Sequence, residues 1–244
     1  MNAAADAGGD FVVEPLGETA LLLRFGTHID AALNARVHEV SATLDAAHLP
    51  GIVDIVPAYA ALALHYEPLH WAQGNGGLPW HNVAAAVRAV LRTPPENLAT
   101  TPAIAEIPVC YGGDFGPDLD ALARNAGLDV EEAIARHTAA EYRVAMLGFA
   151  PGFPYLLGLD AALHAPRRAN PRTRVPAGSV AIGGAQTGIY PTELPGGWQL
   201  IGRTPAVLFD AQRMQPSLLA PGDRVRFRTI DAREFAELAQ TARS

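Results

Sequence analysis

The chain has 244 residues, of which 49% are hydrophobic and 18% charged, and its formal net charge is -7. This composition excludes overall disorder, and an acidic surface argues against a nucleic-acid partner because it repels phosphate backbones. The single cysteine, Cys110, excludes an internal disulfide and suits a reducing compartment. With no leader-like N-terminus and no apolar run of membrane-spanning length, we expect a cytoplasmic protein without a membrane partner.

The first part of the chain predicts a small α+β sandwich domain over residues 11–92, preceded by a flexible tail over residues 1–10. Helical spacing of apolar residues follows Asp30, a plausible N-cap, and a second helix is predicted over Pro79–Arg92. Each helix follows a pair of strand-like segments, which predicts a sheet carrying helices on one face. The predicted strands are Phe11–Leu16, Glu18–Phe25, Gly51–Val56 and Ala61–Tyr66.

Residues 93–103 combine prolines and threonines with few large apolar side chains, which is typical of a linker. Residues 104–244 then form the second predicted domain. Short strands punctuated by glycine and proline predict a β-barrel or sandwich, with helices starting near Asp118, Asp129 and Asp231. The predicted strands are Ile104–Tyr111, Tyr142–Phe149, Ser179–Gly183, Thr187–Tyr190, Trp198–Ile201, Ala206–Phe209 and Arg224–Thr229.

An aromatic segment rich in glycine and proline, residues 148–155, includes Phe149, Phe153 and Tyr155. Stiff aromatic loops are common at ligand pockets and partner surfaces, because rings bury a large area at low entropic cost. The indole of Trp198 is a fourth candidate for the same pocket or partner surface. The alternative is that these rings only close the end of a barrel.

Four arginines lie close together within residues 166–176, in a chain that contains no lysine. Arginine presents a planar fork suited to carboxylate or phosphate, so the run predicts an anion site, while a solvated face is the alternative. Arg203 adds a fifth guanidinium further along the chain. The four are Arg167, Arg168, Arg172 and Arg174.

The glycine-rich stretch over residues 176–191 contributes neutral hydrogen-bonding groups beside the arginines. Its glycines either let the backbone approach a ligand or form barrel corners. Glu193 is a candidate general base, with a surface ion pair to Arg203 as the alternative. The eight histidines show no ligand spacing, and we predict no metal site. The neutral candidates are Ser179, Gln186, Thr187 and Tyr190.

Four long motifs resemble the signature of the KipI/PxpB family, which contains the B-type subunit of 5-oxoprolinase. They are residues 147–155, 171–180, 184–191 and 195–205. The family has also been labelled allophanate hydrolase subunit 1, and it is similar to part of the carboxyltransferase region of urea carboxylase. Residues 15–22 and 50–59 extend the resemblance into the N-terminal half.

The resemblance implies a cyclophilin-like β-barrel in the second domain and a subunit that is inactive alone. C-type (KipA-like) and A-type subunits would complete a hetero-oligomeric 5-oxoprolinase that hydrolyses ATP with Mg, and opens 5-oxo-L-proline to L-glutamate. The alternatives are a KipI-type inhibitor of a sensor histidine kinase and a urea- or allophanate-processing subunit.

Residue chemistry and these motifs together suggest roles for the candidate residues. Arg172, Arg174 and Arg203 would bind phosphate or the substrate carboxylate, with Ser179 nearby. Gln186 and Thr187 would orient the substrate on the same barrel face. The candidate catalytic residues are Glu193 and Tyr190.

Overall fold

The computed structural model describes residues 11–72, 77–93 and 104–241. The chain divides into two compact units, residues 1–101 and residues 102–244. Both units mix helices and strands, so the predicted α+β class is confirmed.

The predicted tail, residues 1–10, lies outside the described residues, as do residues 94–103 of the predicted linker. Both assignments therefore stay predictions.

The first unit is a four-stranded antiparallel sheet in the order β1-β2-β4-β3. Its longest helix begins after Asp30, whose carboxylate accepts the N–H groups of Ala32 and Leu33 at 2.9 Å, and the predicted N-cap is thereby confirmed. The elements are β1 (Val12–Pro15), β2 (Ala20–Arg24), α1 (Ala31–Ala46), β3 (Ile52–Pro57), β4 (Ala61–Tyr66), α2 (Pro68–Trp71) and α3 (Pro79–Arg92).

The core of the first unit forms where α1 and α3 pack on the sheet. Alternate residues of β2 and β4 point to the same face, and α1 and α3 each contribute an apolar stripe. The buried members are Leu21, Leu23, Val37, Val40, Leu44, Leu62, Leu64, Tyr66, Val83, Ala84 and Val87.

The second unit is built around a closed barrel of seven strands in the order β10-β7-β6-β13-β5-β12-β9, which confirms the predicted barrel. The β5–β13 pair is parallel and the other pairs are antiparallel. The barrel strands are β5 (Ile104–Tyr111), β6 (Tyr142–Leu147), β7 (Pro154–Leu157), β9 (Ser179–Gly183), β10 (Gln186–Ile189), β12 (Gln199–Arg203) and β13 (Arg224–Thr229).

A two-stranded ribbon and three helices complete the second unit. The predicted strand Ala206–Phe209 is wrong, since only Phe209 forms an isolated bridge, to Ser217. The remaining elements are α4 (Leu119–Ala126), α5 (Val130–Ala139), a 3-10 turn (Ala161–Leu163), β8 (Arg172–Val175), β11 (Leu194–Gly196) and α6 (Ala232–Thr241).

Side-chain alternation along β9 produces two separate apolar clusters. Val180 and Ile182 belong to the large core of the barrel, whereas Ala181 between them belongs to a smaller cluster. Successive side chains of a strand point to opposite faces, so the smaller cluster lies on the other side of the barrel wall. The same alternation on β12 separates Ile201 from Leu200.

The smaller cluster, called the outer aromatic cluster below, consists of Phe153, Val175, Ala181, Tyr190, Trp198 and Leu200. Gly183 at the end of β9 lies flat against the indole, because a Cβ built on it would lie 2.6 Å from three atoms of the Trp198 ring. This glycine therefore serves close packing of an aromatic ring.

A buried histidine organises a polar network inside the large core. His137 of α5 lies 2.8 Å from the Tyr111 hydroxyl through Nδ1 and 3.2 Å from Thr187 Oγ1 through Nε2. The Thr187 hydroxyl donates to the Ala181 carbonyl at 3.0 Å, so it accepts from Nε2–H, and Nδ1 accepts from Tyr111. Burial lowers the pKa of His137 from 6.5 to about 3.

Within the three described ranges, every helix is too short or too polar to traverse a lipid bilayer.

Replacing Gly183 with alanine is expected to lower the free energy of unfolding by about 1–3 kcal/mol, since the new methyl group must displace the Trp198 indole. Chemical denaturation measures the loss, and a shift of tryptophan emission locates it. Unchanged stability together with unchanged emission would contradict the packing described for this ring.

The His137 network predicts a stability loss in acid. The unfolded state binds a proton near pH 6.5 and the folded state only near pH 3, so stability falls as pH drops below 6.5. Between pH 8 and pH 5 this group alone removes about 2 kcal/mol. The His137→Gln variant lacks that proton uptake, so its unfolding free energy should fall less over the same range. An NMR titration in which the wild-type ring protonates near pH 6.5 would contradict the prediction.

Candidate functional site

A cleft of about 220 Å³ opens against the outer aromatic cluster of the second unit. Its floor is formed by rings that the barrel wall holds from behind, and its rim by the arginine-rich segment and the ribbon strand β11. The lining residues are Phe149, Phe153, Tyr155, Arg167, Arg168, Pro171, Tyr190, Pro195, Gly196, Gly197 and Trp198.

The aromatic walls pack edge to face. The Phe153 ring lies 5.2 Å from Tyr190 and 5.8 Å from Trp198 between centroids, with interplanar angles of 89° and 86°. Tyr155 approaches Trp198 at 5.8 Å. Such pairs favour a fixed arrangement of rings beyond what burial alone provides. The walls of the cleft are therefore rigid before any ligand arrives.

Phe149 differs from the other rings because it is exposed at the mouth of the cleft. Its side chain is 61% exposed and its backbone has φ of +69°, a left-handed conformation that a bulky residue rarely adopts. Its ring packs edge to face with Phe153 and Tyr190, at distances of 5.5 and 6.4 Å between ring centroids. Strained residues of this kind concentrate at functional sites.

The arginine segment forms the charged side of the cleft. The Arg167 guanidinium carbon lies 5.8 Å from the centroid of the Trp198 indole, within cation–π distance. The backbone N–H of Arg168 donates to the Gly197 carbonyl at 2.6 Å, which ties the segment to the turn before β12. Gln199 strengthens this attachment by donating its side-chain N–H to the Pro166 carbonyl at 2.9 Å.

Behind the cleft, two guanidinium groups share the carboxylate of Asp118, which is buried at the start of α4. Arg172 donates to both carboxylate oxygens at 2.9 Å, and Arg168 Nη1 donates to Oδ1 at 3.0 Å. The backbone N–H of Leu200 donates to Oδ2 at 2.7 Å. We call these four residues the Asp118 cluster. The bidentate Arg172 pair and the backbone donor fix the carboxylate in one orientation.

The cleft and the Asp118 cluster together carry an excess of positive charge. Arg168 and Arg172 pair with the carboxylate of Asp118, Arg167 lies in the cleft lining, and among the described residues no other carboxylate pairs with these three arginines. The local charge is therefore +2 in a protein whose formal net charge is -7. Such a reversal of sign favours binding of an anion.

The structure brings five of the predicted residues to the cleft, because Phe149, Phe153, Tyr155, Tyr190 and Trp198 all line it. Burial raises the pKa of the Tyr190 hydroxyl, an effect that the Trp198 backbone N–H offsets in part. The phenol therefore stays protonated at neutral pH and serves as a hydrogen-bond donor rather than a base.

The predicted arginines do not converge on one site. Arg172 is held by Asp118 behind the cleft, and Arg174 is 77% exposed and paired with Glu193 at 2.7 Å. Arg203 donates to the Ala177 carbonyl at 2.7 Å. Glu193 is itself 49% exposed, and its partner is Arg174 rather than Arg203. Of the predicted arginine run, Arg167 and Arg168 line the cleft.

Three of the four neutral candidates lie away from the cleft lining, and only Tyr190 belongs to it. Ser179, Gln186 and Thr187 are buried residues of β9 and β10. Thr187 belongs to the His137 network in the barrel core. The expectation that Thr187 shares one surface with the arginines is wrong, because strand alternation directs its side chain inward, whereas Ser179 is the cross-strand partner of Arg203.

Asp118 is the functional residue that the sequence patterns did not reveal. Its position in the sequence indicates only the start of a helix, yet its side chain makes no capping hydrogen bond and is committed to the arginines. The one available signal was the density of arginines, which requires a compensating carboxylate once any of them is buried. Cys110 is also buried, and burial raises its thiol pKa, which suits a packing role.

Comparison with known proteins supports one family. A family model described as carboxyltransferase domain, subdomain C and D, matches residues 11–219. The B-type subunit of the 5-oxoprolinase from Bacillus subtilis (strain 168) is 43% identical over 229 residues, which cover 92% of this chain and 95% of that protein. This agrees with the resemblance to KipI/PxpB proteins seen in the motifs.

Solved structures share the fold. The crystal structure of TTHA0988 is 39% identical with a TM-score of 0.75; the match covers 87% of this chain and 40% of that longer one. The Kluyveromyces lactis urea carboxylase matches 95% of this chain and 23% of its own with a TM-score of 0.67, and at 18% identity it shows the fold alone. On the family-model match and the near-full-length relative together, this chain belongs to the family of the carboxyltransferase domain, subdomain C and D.

Proposed function

We propose that this chain is the B-type subunit of a 5-oxoprolinase, which opens the lactam of 5-oxo-L-proline to L-glutamate at the expense of ATP. The observation that carries the proposal is the 43% identity to a 5-oxoprolinase subunit of this type over 92% of this chain and 95% of that protein. We place the reaction in the cytoplasm, because it consumes ATP and because the one cysteine suits a reducing compartment.

The reaction sets physical requirements that the cleft meets in part. A five-membered lactam is a stable amide, so its opening benefits from phosphoryl transfer and from preorganised groups that stabilise negative charge. The cleft supplies guanidinium groups and the protonated Tyr190 hydroxyl. Its lining contains no aspartate, glutamate or histidine, so a general base must come from outside it.

ATP does not fit this cleft. Its volume of about 220 Å³ is below the range of roughly 300–1,000 Å³ typical of sites for drug-sized ligands, and a nucleotide is at least that large. In residues 11–72, 77–93 and 104–241 no group of three or more His, Cys, Asp or Glu side chains is placed to hold a metal ion. On the size of this cleft, we assign ATP with its Mg to another subunit of the complex.

Because this cleft offers neither a base nor the room for a nucleotide, we favour a role for partner subunits. This chain corresponds to 40% of TTHA0988 and 23% of the yeast urea carboxylase, so the same fold occurs inside longer polypeptides. We assign the remaining functions to C-type (KipA-like) and A-type subunits that bind in trans. This arrangement predicts that the B-type subunit is inactive alone.

The two alternatives have weaker support. A urea- or allophanate-processing role rests on distant likenesses, 18% identity to the Kluyveromyces lactis urea carboxylase and 28% over 51% of this chain to a putative urea carboxylase. A KipI-type inhibitor of a sensor histidine kinase would use the exposed Phe149 as a contact and would show no turnover. Both alternatives make predictions opposite to the proposal in one reconstitution experiment.

The purified chain, mixed with candidate C-type and A-type subunits, is expected to release glutamate from 5-oxo-L-proline only when ATP is present. Omitting any subunit should abolish release, because the cleft lacks a base and a nucleotide site. Glutamate is measured with a coupled enzymatic assay. Absence of release from the complete mixture, or turnover of urea-derived substrates instead, would overturn the proposal.

A further inference from the structure

We propose that the cleft binds the carboxylate of a small cyclic amide acid through Arg168 and Arg167, with the aromatic walls contacting the ring. The inference rests on the proposed function for the identity of that acid, which is 5-oxo-L-proline. The chemistry of the site, an anion on a flat ring, comes from the geometry of the cleft.

Charge is the first argument. Three guanidinium groups and one carboxylate leave +2 at this place, and Asp118 is already saturated by four hydrogen bonds from Arg168, Arg172 and the Leu200 backbone. The remaining positive charge belongs to Arg167 and Arg168, the two arginines that line the cleft. A ligand carboxylate would compensate part of it.

The hydrogen-bonding state of Arg168 is the second argument. Only one of its nitrogens, Nη1, contacts Asp118, whereas its Nε is buried and finds no hydrogen-bond acceptor within the described residues. A buried donor without a partner carries a desolvation cost, so the protein alone leaves this guanidinium incompletely satisfied. The backbone bond to Gly197 and the bond to Asp118 hold the guanidinium in place, so little ordering is needed when a ligand binds.

The walls and the size of the cleft are the third argument. The rings of Tyr155, Trp198 and Phe149 offer flat apolar surface next to the cations. A free phosphate ion satisfies the arginines but makes no use of this surface. A carboxylate attached to a planar five-membered ring uses both, and the small volume of about 220 Å³ excludes much larger anions.

The experiment uses Trp198 as the reporter of binding. The chain has three tryptophans, and Trp71 and Trp80 lie in the first unit, so the Trp71→Phe, Trp80→Phe double variant leaves only the indole in the cleft. Its fluorescence is titrated with 5-oxo-L-proline, with pyrrolidin-2-one, which is the same lactam ring without the carboxylate, and with inorganic phosphate. The titrations are run on the isolated chain and on the assembled complex.

We expect saturable binding of 5-oxo-L-proline and binding of pyrrolidin-2-one that is weaker by about 10- to 100-fold, the range for a hydrogen bond to a charged group. Phosphate should compete poorly. Arg168→Gln should weaken the binding of 5-oxo-L-proline by a similar factor and leave the affinity for pyrrolidin-2-one nearly unchanged. A purely structural role of Arg168 would weaken both ligands equally, so the ratio separates the two roles.

Three further variants keep the test decisive. Arg167→Gln removes an exposed guanidinium whose contact is with the Trp198 indole, so we expect the variant to fold and to bind 5-oxo-L-proline more weakly. Arg233→Gln on α6, 87% exposed and paired with Glu237, removes the same charge far from the cleft and should change nothing. Arg168→Lys keeps the charge without the fork and should bind with intermediate affinity.

The inference is overturned if neither the chain nor the complex shows carboxylate-dependent binding that Arg168→Gln or Arg167→Gln weakens, or if phosphate binds more tightly than 5-oxo-L-proline. Its failure is distinct from failure of the proposed function. If the complex is active and its KM for 5-oxo-L-proline is unchanged in Arg168→Gln and in Arg167→Gln, the proposed binding site is wrong and the proposed function stands. If 5-oxo-L-proline binds tightly to a complex that releases no glutamate, the proposed function is wrong and the binding site stands.

Discussion

One shared carboxylate organises the charged side of the second unit. Asp118 joins the start of α4, the arginine-rich segment and the backbone of β12 through hydrogen bonds of 2.7–3.0 Å. Burying a charge is costly unless it is paired and fully hydrogen-bonded, and this carboxylate meets both conditions. Two guanidinium groups share one carboxylate, so the Asp118 cluster keeps a net positive charge. The hydrogen bonds that join distant segments of the chain therefore also leave a surface that favours an anion.

The second constraint is the close packing of rings on the outside of the barrel. Gly183 lets the Trp198 indole lie flat on β9. The guanidinium carbon of Arg167 in turn lies 5.8 Å from the centroid of that indole, within cation–π distance. Strand alternation places this cluster on the opposite face of the wall from the His137 network. The barrel thus uses one set of strands for two purposes, a buried polar core and a rigid floor for the cleft.

Local patterns were sufficient for much of the fold. The helix over Pro79–Arg92 and the strand over Ile104–Tyr111 were predicted with the observed bounds, because hydrophobic periodicity and flanking prolines define them. Strands β7 and β11 were missed because Pro154 and Pro195 interrupt the apolar pattern. The aromatic candidates were also found locally, since ring-rich loops with glycine and proline stand out in composition.

The choice among arginines depended on contacts that sequence spacing does not encode. Asp118 lies 54 residues before Arg172, and Thr187 meets His137 across 50 residues. These pairs decide that Arg172 is held by Asp118 and that Thr187 points into the core. Arg174, two residues further, is left in solvent with Glu193. Motifs could therefore identify the family, but only the fold shows which side chains meet.

The most direct test is a crystal structure of the assembled complex with 5-oxo-L-proline bound. The ligand carboxylate should lie within about 3 Å of a guanidinium nitrogen of Arg168, with its ring against Trp198 and Asp118 still paired to Arg172. A ligand bound elsewhere, with the cleft covered by a partner chain or left without an anion, would contradict the role assigned to these arginines.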